Sequence, residues 1–82
     1  MDYMKKKTKA ETLLDLMENV ATNYNIDVTT THNETDAEYN AIRLNAMQDA
    51  ARAVGMDTNV TCDESGKITS ISVDKKTKTF PD

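Results

Sequence analysis

The apolar residues of this chain change period at Gly55. In two long runs before Val54 they recur at the three-and-four spacing of a helix face, and beyond Gly55 they alternate with polar residues as strands do. Such a chain reads as helices followed by a small sheet, an α+β fold. Its 82 residues are room for one domain. Tyr3, Tyr24, Tyr39 and Phe80 are its aromatics and it has no tryptophan, so the core is expected to be thin and aliphatic. Self-association would add burial to such a core.

The first helix opens on a capping box. Thr8 and Glu11 stand three apart, so the hydroxyl accepts a free amide hydrogen bond while the carboxylate reaches back to the cap residue. Ala10, Leu13, Leu14, Met17, Val20, Ala21 and Tyr24 then form one stripe, predicting a helix over 9–24 with Asn25 as its left-handed exit. Residues 1–8, with three consecutive lysines, read as a disordered basic lead-in, and the compact domain as 9–74. In 26–31, Ile26 and Val28 alternate with polar residues in a β-branched run, which reads as a short edge strand or as a loop that tucks both against the core.

Thr35 and Glu38 repeat the capping signal for a second helix. Tyr39, Ile42, Ala46, Ala50 and Ala53 form one stripe on it and Leu44, Met47, Ala51 and Val54 another, a width that predicts contact on two sides. Gly55 should end the helix in the left-handed conformation, with Met56 folding back on Ala51. Residues 59–62 and 67–73 flank Glu64-Ser65-Gly66, a three-residue hairpin loop that pairs Asp63 with Lys67 and Cys62 with Ile68. Strict alternation then sends Ile71 and Val73 to the face opposite Ile68. Either a bulge near Thr69 or Ser70 corrects the parity, or both faces are partly covered. Residues 75–82 read as a basic and polar tail. The expected core is Leu13, Leu14, Met17, Val20, Tyr24, Ile42, Ala46, Met47, Ala50, Val54, Met56, Val60, Cys62, Ile68 and Ile71.

Reactive groups are few. His32 with Glu34, Asp36 and Glu38 lacks metal-ligand spacing and reads as a solvated histidine beside acids at a helix start. Cys62, alone and so without an internal disulfide, is expected to point inward as a small apolar group rather than to serve His32 as a nucleophile. Asp63, Ser65 and Lys67 fail the calcium-loop pattern, since a lysine stands at a ligand position. With Gly55 and Gly66 as its two glycines the chain has no phosphate cradle. The expectation is a non-enzymatic protein without cofactor or metal. The absence of a long apolar run and of a signal-peptide pattern reads as cytoplasmic, with no membrane partner.

Charge carries the functional expectation. Between Ala10 and Asp74 twelve acidic residues face three basic ones, while the ends are lysine-rich. An anionic body attracts cationic surfaces. Glu11, Asp15 and Glu18, opposite the apolar stripe of the first helix, would offer a row spaced on the scale of phosphates along a nucleic-acid strand, with Asp63 and Glu64 at the hairpin tip as a second patch. The partner would be a basic protein surface, such as that of a nucleic-acid-binding enzyme. Small acidic chains of this kind are typical of phage and mobile-element inhibitors, anti-CRISPR proteins and DNA mimics among them.

The order of two helices and a hairpin also resembles, over Thr35 to Val73 and in architecture alone, the recognition helix and wing of small winged-helix DNA binders such as phage excisionases. That resemblance implies phosphate contacts by Arg43, Arg52 and Lys67 and base contacts by Asn40, Asn45 and Gln48. Glu38, Asp49, Asp63 and Glu64 interrupt the set, which makes direct nucleic-acid binding the weaker expectation.

Overall fold

The computed structural model describes residues 6–81. Helix α1 (Lys9–Ile26) leads into a single π-helical turn (Asp27–Thr31), then helix α2 (Glu34–Ala53) and three strands, β1 (Thr58–Cys62), β2 (Ile68–Val73) and β3 (Lys76–Thr79). The strands form one antiparallel sheet in the order β1-β2-β3. The α+β class holds, with two helices ahead of the sheet.

Local chemistry explains the boundaries. The Thr8 hydroxyl accepts from the Glu11 amide at 3.1 Å and the Thr8 amide donates to the Glu11 carboxylate at 2.9 Å, closing the expected capping box. The helix does not leave at Asn25. It widens into the π turn where the Thr29 hydroxyl donates to the Asn25 carbonyl at 2.7 Å, taking an acceptor that an α-helical amide would use. The exit is His32, at φ 52°. Residues 26–31 are therefore neither strand nor loop, because local threonine bonding keeps the backbone coiled. Helix α2 is capped by Asn33, whose side-chain oxygen accepts from the Asp36 amide at 3.1 Å, and not by Thr35. Its end follows expectation: Gly55 lies at φ 84° and the Met56 amide donates to Ala51 at 2.9 Å.

In the hairpin, Gly66 lies at φ 90° and the Asp63 amide donates to Lys67 at 2.9 Å. Register runs Thr61↔Ser70 and then Cys62↔Ile68, so Thr69 is the extra residue of a bulge. That bulge corrects the parity, and Ile68, Ile71 and Val73 are all buried.

Within 75–82, read as a tail, residues 76–80 are built into the fold, and Asp82 lies outside the described residues. Lys76–Thr79 pairs with β2 through a two-residue loop, Asp74-Lys75, with Asp74 at φ 54° and its carboxylate accepting from the Asp57 amide at 3.0 Å. Beyond the strand, Phe80 packs on the core and its amide donates to Thr69. The charged β3 also blunts one sheet edge against further pairing.

The core lies between α1 and the sheet, with Leu44 entering from α2: Leu14, Met17, Val20, Ala21, Leu44, Ile68, Ile71 and Val73. Each large side chain among them contributes about 1.5–3 kcal/mol against the entropy of ordering the chain. Leu13, Tyr24, Met47, Met56 and Val60 pack around this cluster half-buried. Helix α2 presents only Asn40, Leu44 and Ala51 as fully buried residues. Ile42, Ala46, Ala50 and Val54, expected inside, are exposed because α2 packs on one side alone. Cys62 is exposed too, at the end of β1 where cover gives out.

One buried polar residue ties the layers together. Asn25, 8% exposed, accepts from the Ile68 amide at 2.8 Å and donates to the Ile68 carbonyl at 2.9 Å. Ile68 lies beyond the last β2–β3 pair, Ser70↔Thr79, so the side chain of Asn25 supplies the bonds a further strand residue would make. Asn25→Ala should lower stability by about 3 kcal/mol, since two backbone groups lose their partners inside the core. Asn25→Asp can donate only when protonated, so its folded pKa must rise. Its stability should be greatest below the ordinary carboxyl range and fall as pH increases through the raised value. Urea unfolding at pH 4 and pH 8 checks both, and a pH-independent Asn25→Asp would contradict the bond to the carbonyl.

Candidate interaction surface

The predicted anionic row on α1 is not free. Glu11 serves the capping box, while Asp15 accepts from Lys7 and forms an ion pair with Lys78 at 3.2 Å. Glu18 meets the same Lys78 ammonium at 2.9 Å. Lys78 belongs to β3, so these carboxylates lie along the seam where α1 meets the sheet edge. The reason is topological: once 76–79 becomes a strand, a basic end is laid against the acidic side of α1. Residues 1–5 of the expected lead-in lie outside the described part, and Lys7 is folded back onto Asp15.

Titration follows from these contacts. The Lys7 and Lys78 ammoniums hold the Asp15 carboxyl below its ordinary value, the Lys7 hydrogen bond having the larger effect. Glu18 and then Asp15 raise the Lys78 ammonium above its ordinary value. The Asp63 carboxyl is lowered chiefly by the Ser65 hydroxyl, which donates to it at 2.6 Å, with the Ser65 and Lys67 amides adding to the effect. Asp63 therefore organises the hairpin loop, leaving Glu64 as the projecting acid of the tip.

A second acidic group, read from sequence only as helix-start residues, lies at the same end of the molecule as that tip. The Asn25–Ile68 bonds fix the base of the hairpin to the C-terminal end of α1, and Asn40 donates to Asp27 at 3.3 Å, holding the start of α2 there as well. Glu34, Asp36 and Glu38 are all exposed on the first turns of α2, where the helix dipole favours negative charge. Of the cations near this end, Lys67 donates to the Pro81 carbonyl at 2.7 Å and Arg43 lies over the Tyr39 ring at 5.6 Å. At the opposite end, Thr8 and Ala10 share a surface cleft with Asp57, Asp74, Lys75 and Lys76, and Lys7 borders another with Lys76 and Lys78. The exposed acids of the α2 start and the hairpin tip thus share one end of the molecule, while at the other end Lys7, Lys75 and Lys76 are interleaved with Asp57 and Asp74.

Other candidates are dispersed. His32 borders a cleft with Asp27 and Glu34, whereas Cys62 borders a different one, an open trough of about 320 Å³ between α2 and β1 that includes Tyr24, Asn45, Gln48 and Asn59. Among the described residues no three His, Cys, Asp or Glu side chains gather as metal ligands, and no helix is long and apolar enough to cross a membrane. Of the residues assigned to base contacts, Asn40 is buried on Asp27 and Gln48 accepts from the Thr58 hydroxyl at 3.3 Å, and of those assigned to phosphate, Arg52 is bound to Asp49 at 3.1 Å. The chain matches no family model, no curated protein sequence and no solved structure.

The ion pairs make a pH prediction. Asp15, with its depressed folded pKa, contributes stability that is present above its ordinary value of 3.8 and lost as pH falls through the depressed one. Lys78 contributes below its ordinary 10.5 and loses that contribution as pH rises through its higher folded value. In a carboxyl NMR titration, Lys7→Met should move the Asp15 midpoint upward, and Lys78→Met should do so by less. An unmoved midpoint in both variants would mean that the bridges do not form in solution.

Proposed function

We propose that this is a non-enzymatic binding protein that docks its acidic end on a basic protein surface. In its most specific form it is an inhibitor of a nucleic-acid-binding enzyme, as anti-CRISPR proteins and DNA mimics are. The observation that carries the reading is the gathering of Glu34, Asp36 and Glu38 with Glu64 at one end, away from the lysines that meet the α1 row. Glu11, Asp15 and Glu18 leave the binding face, because their charge is met within the molecule. Asp63 acts indirectly, by shaping the loop that carries Glu64.

Charge complementarity of this kind governs capture rate and salt dependence more than final affinity. Against a basic nucleic-acid enzyme, combined Glu34→Gln, Asp36→Asn and Glu64→Gln should slow association about tenfold at low salt, and Asp15→Asn should leave it unchanged. Equal losses in both variants would contradict the assignment of the face. Duplex DNA alone should not be retarded by the protein. Retardation that disappears steeply with salt would instead support the excisionase-like reading.

A further inference from the structure

Helix α2 carries a second apolar face with no other element of the fold packed on it, Arg43 of the same helix lying over its Tyr39 ring. At 100° per residue, Tyr39, Ile42, Ala46, Ala50 and Ala53 fall within about 40° of one line along the helix, directly opposite the packed Leu44 and Ala51. Tyr39 is 61% and Ile42 59% exposed, Val54 at the helix end is 71% exposed, and the three alanines are exposed as well. An α2 that needed only to cover α1 would carry polar residues along this line.

We propose that this face is covered by the same face of a second copy, the two α2 helices packing antiparallel about a two-fold axis beside Ala46. The pattern is complementary to its own reverse. Tyr39 and Ala53 stand equally far from Ala46 in opposite directions, and so do Ile42 and Ala50. An antiparallel pair therefore sets the large side chains of one copy at the level of the small ones of the other, and alanine meets alanine at the crossing, where backbones approach most closely. A parallel pair would set tyrosine against tyrosine and leave Ala50 and Ala53 facing only alanines.

Charge selects the same arrangement. Antiparallel packing lays the acidic first turns of one α2, with Glu34, Asp36 and Glu38, beside the other copy's C-terminal end, whose exposed Arg52 is shared with Asp49 of its own helix and where the negative pole of the helix dipole is offset by the antiparallel neighbour. Glu38 and Arg52 lie on the same edge of the stripe, and a two-fold axis brings same-edge residues from opposite ends together. Parallel packing would bring the acidic turns of both copies together. One helix face against another lies near the low end of stable interfaces, about 1,200 Å² in total, so the dimer should dissociate on dilution, with a dissociation constant on the order of micromolar.

The inference does not rest on the acidic end as a docking site, and its test uses different residues. Sedimentation velocity on the full chain from 1 to 500 times about 1 μM should show the mass rising from 9.2 kDa toward twice that value. Ala46→Glu, a good helix former at an exposed position, should stay monomeric throughout, with unchanged circular dichroism and, at concentrations where the wild type is also monomeric, unchanged melting. In a Cys62→Ser background, Ala46→Cys should form a disulfide-linked dimer under copper-phenanthroline and oxygen, which accept the two electrons. Ala53→Cys should not, because two copies of position 53 lie about 21 Å apart along antiparallel helices. A monomer at every concentration, an Ala46→Glu variant that still dimerises, or equal cross-linking at positions 46 and 53 would each overturn the proposal. Equal cross-linking would indicate a parallel pair.

Discussion

The architecture depends on the pair of hydrogen bonds between the Asn25 amide and the backbone of Ile68. An amide side chain has one acceptor and one donor in nearly the spacing of a peptide unit, so it can stand in for a strand residue. Here it does so from a helix, at the start of β2, beyond the last pair with β3. The consequences spread from that point. Ile68 is held inward, the bulge at Thr69 lets Ile71 and Val73 face the same core, and the hairpin base is anchored to the end of α1. Buried polar pairs specify one arrangement because every alternative register leaves an unpaired group in an apolar setting.

The same anchoring decides where charge ends up. An acidic middle and basic ends along the chain suggest an anionic body with loose cationic tails. In three dimensions the C-terminal basic segment becomes β3, Lys78 is laid on Asp15 and Glu18, and Lys7 closes over Asp15 from the other side. What remains is a concentration of exposed acids at the α2 start and the hairpin tip. Exposed ion pairs of this kind add little to stability, but they remove negative potential from one face and leave it on another, which is a functional difference.

Much of the fold was legible in the residues. The capping box at Thr8, the glycine stop at Gly55 and the hairpin loop ending at Gly66 are local signals with one dominant physical solution, and the parity conflict narrowed β2 to two solutions, of which the bulge is the one adopted. Three features were not legible. The strand after Asp74 has no Asn-Gly or Asp-Gly turn and no apolar alternation, since Lys-Thr-Lys-Thr pairs through its backbone and buries little. The coiled state of 26–31 turns on threonine hydroxyls bonding backward, which composition alone reads as β propensity. The third is which of two apolar stripes on α2 faces inward, a tertiary choice that periodicity cannot make. At the candidate site, Glu64 was legible as a loop tip. Glu34, Asp36 and Glu38 read as helix-start residues until the long-range contacts of Asn25 and Asn40 put that helix start at the hairpin's end of the molecule.

The central claim is that a side chain of α1 completes the sheet at Ile68, and amide hydrogen exchange resolved by residue tests it most directly. The Ile68 amide has no strand partner, yet it should exchange as slowly as the amides inside β2, through global unfolding only. Rapid exchange at Ile68 while Ile71 stays protected would mean that the Asn25 bond is absent in solution, and the shared acidic end would lose its structural basis.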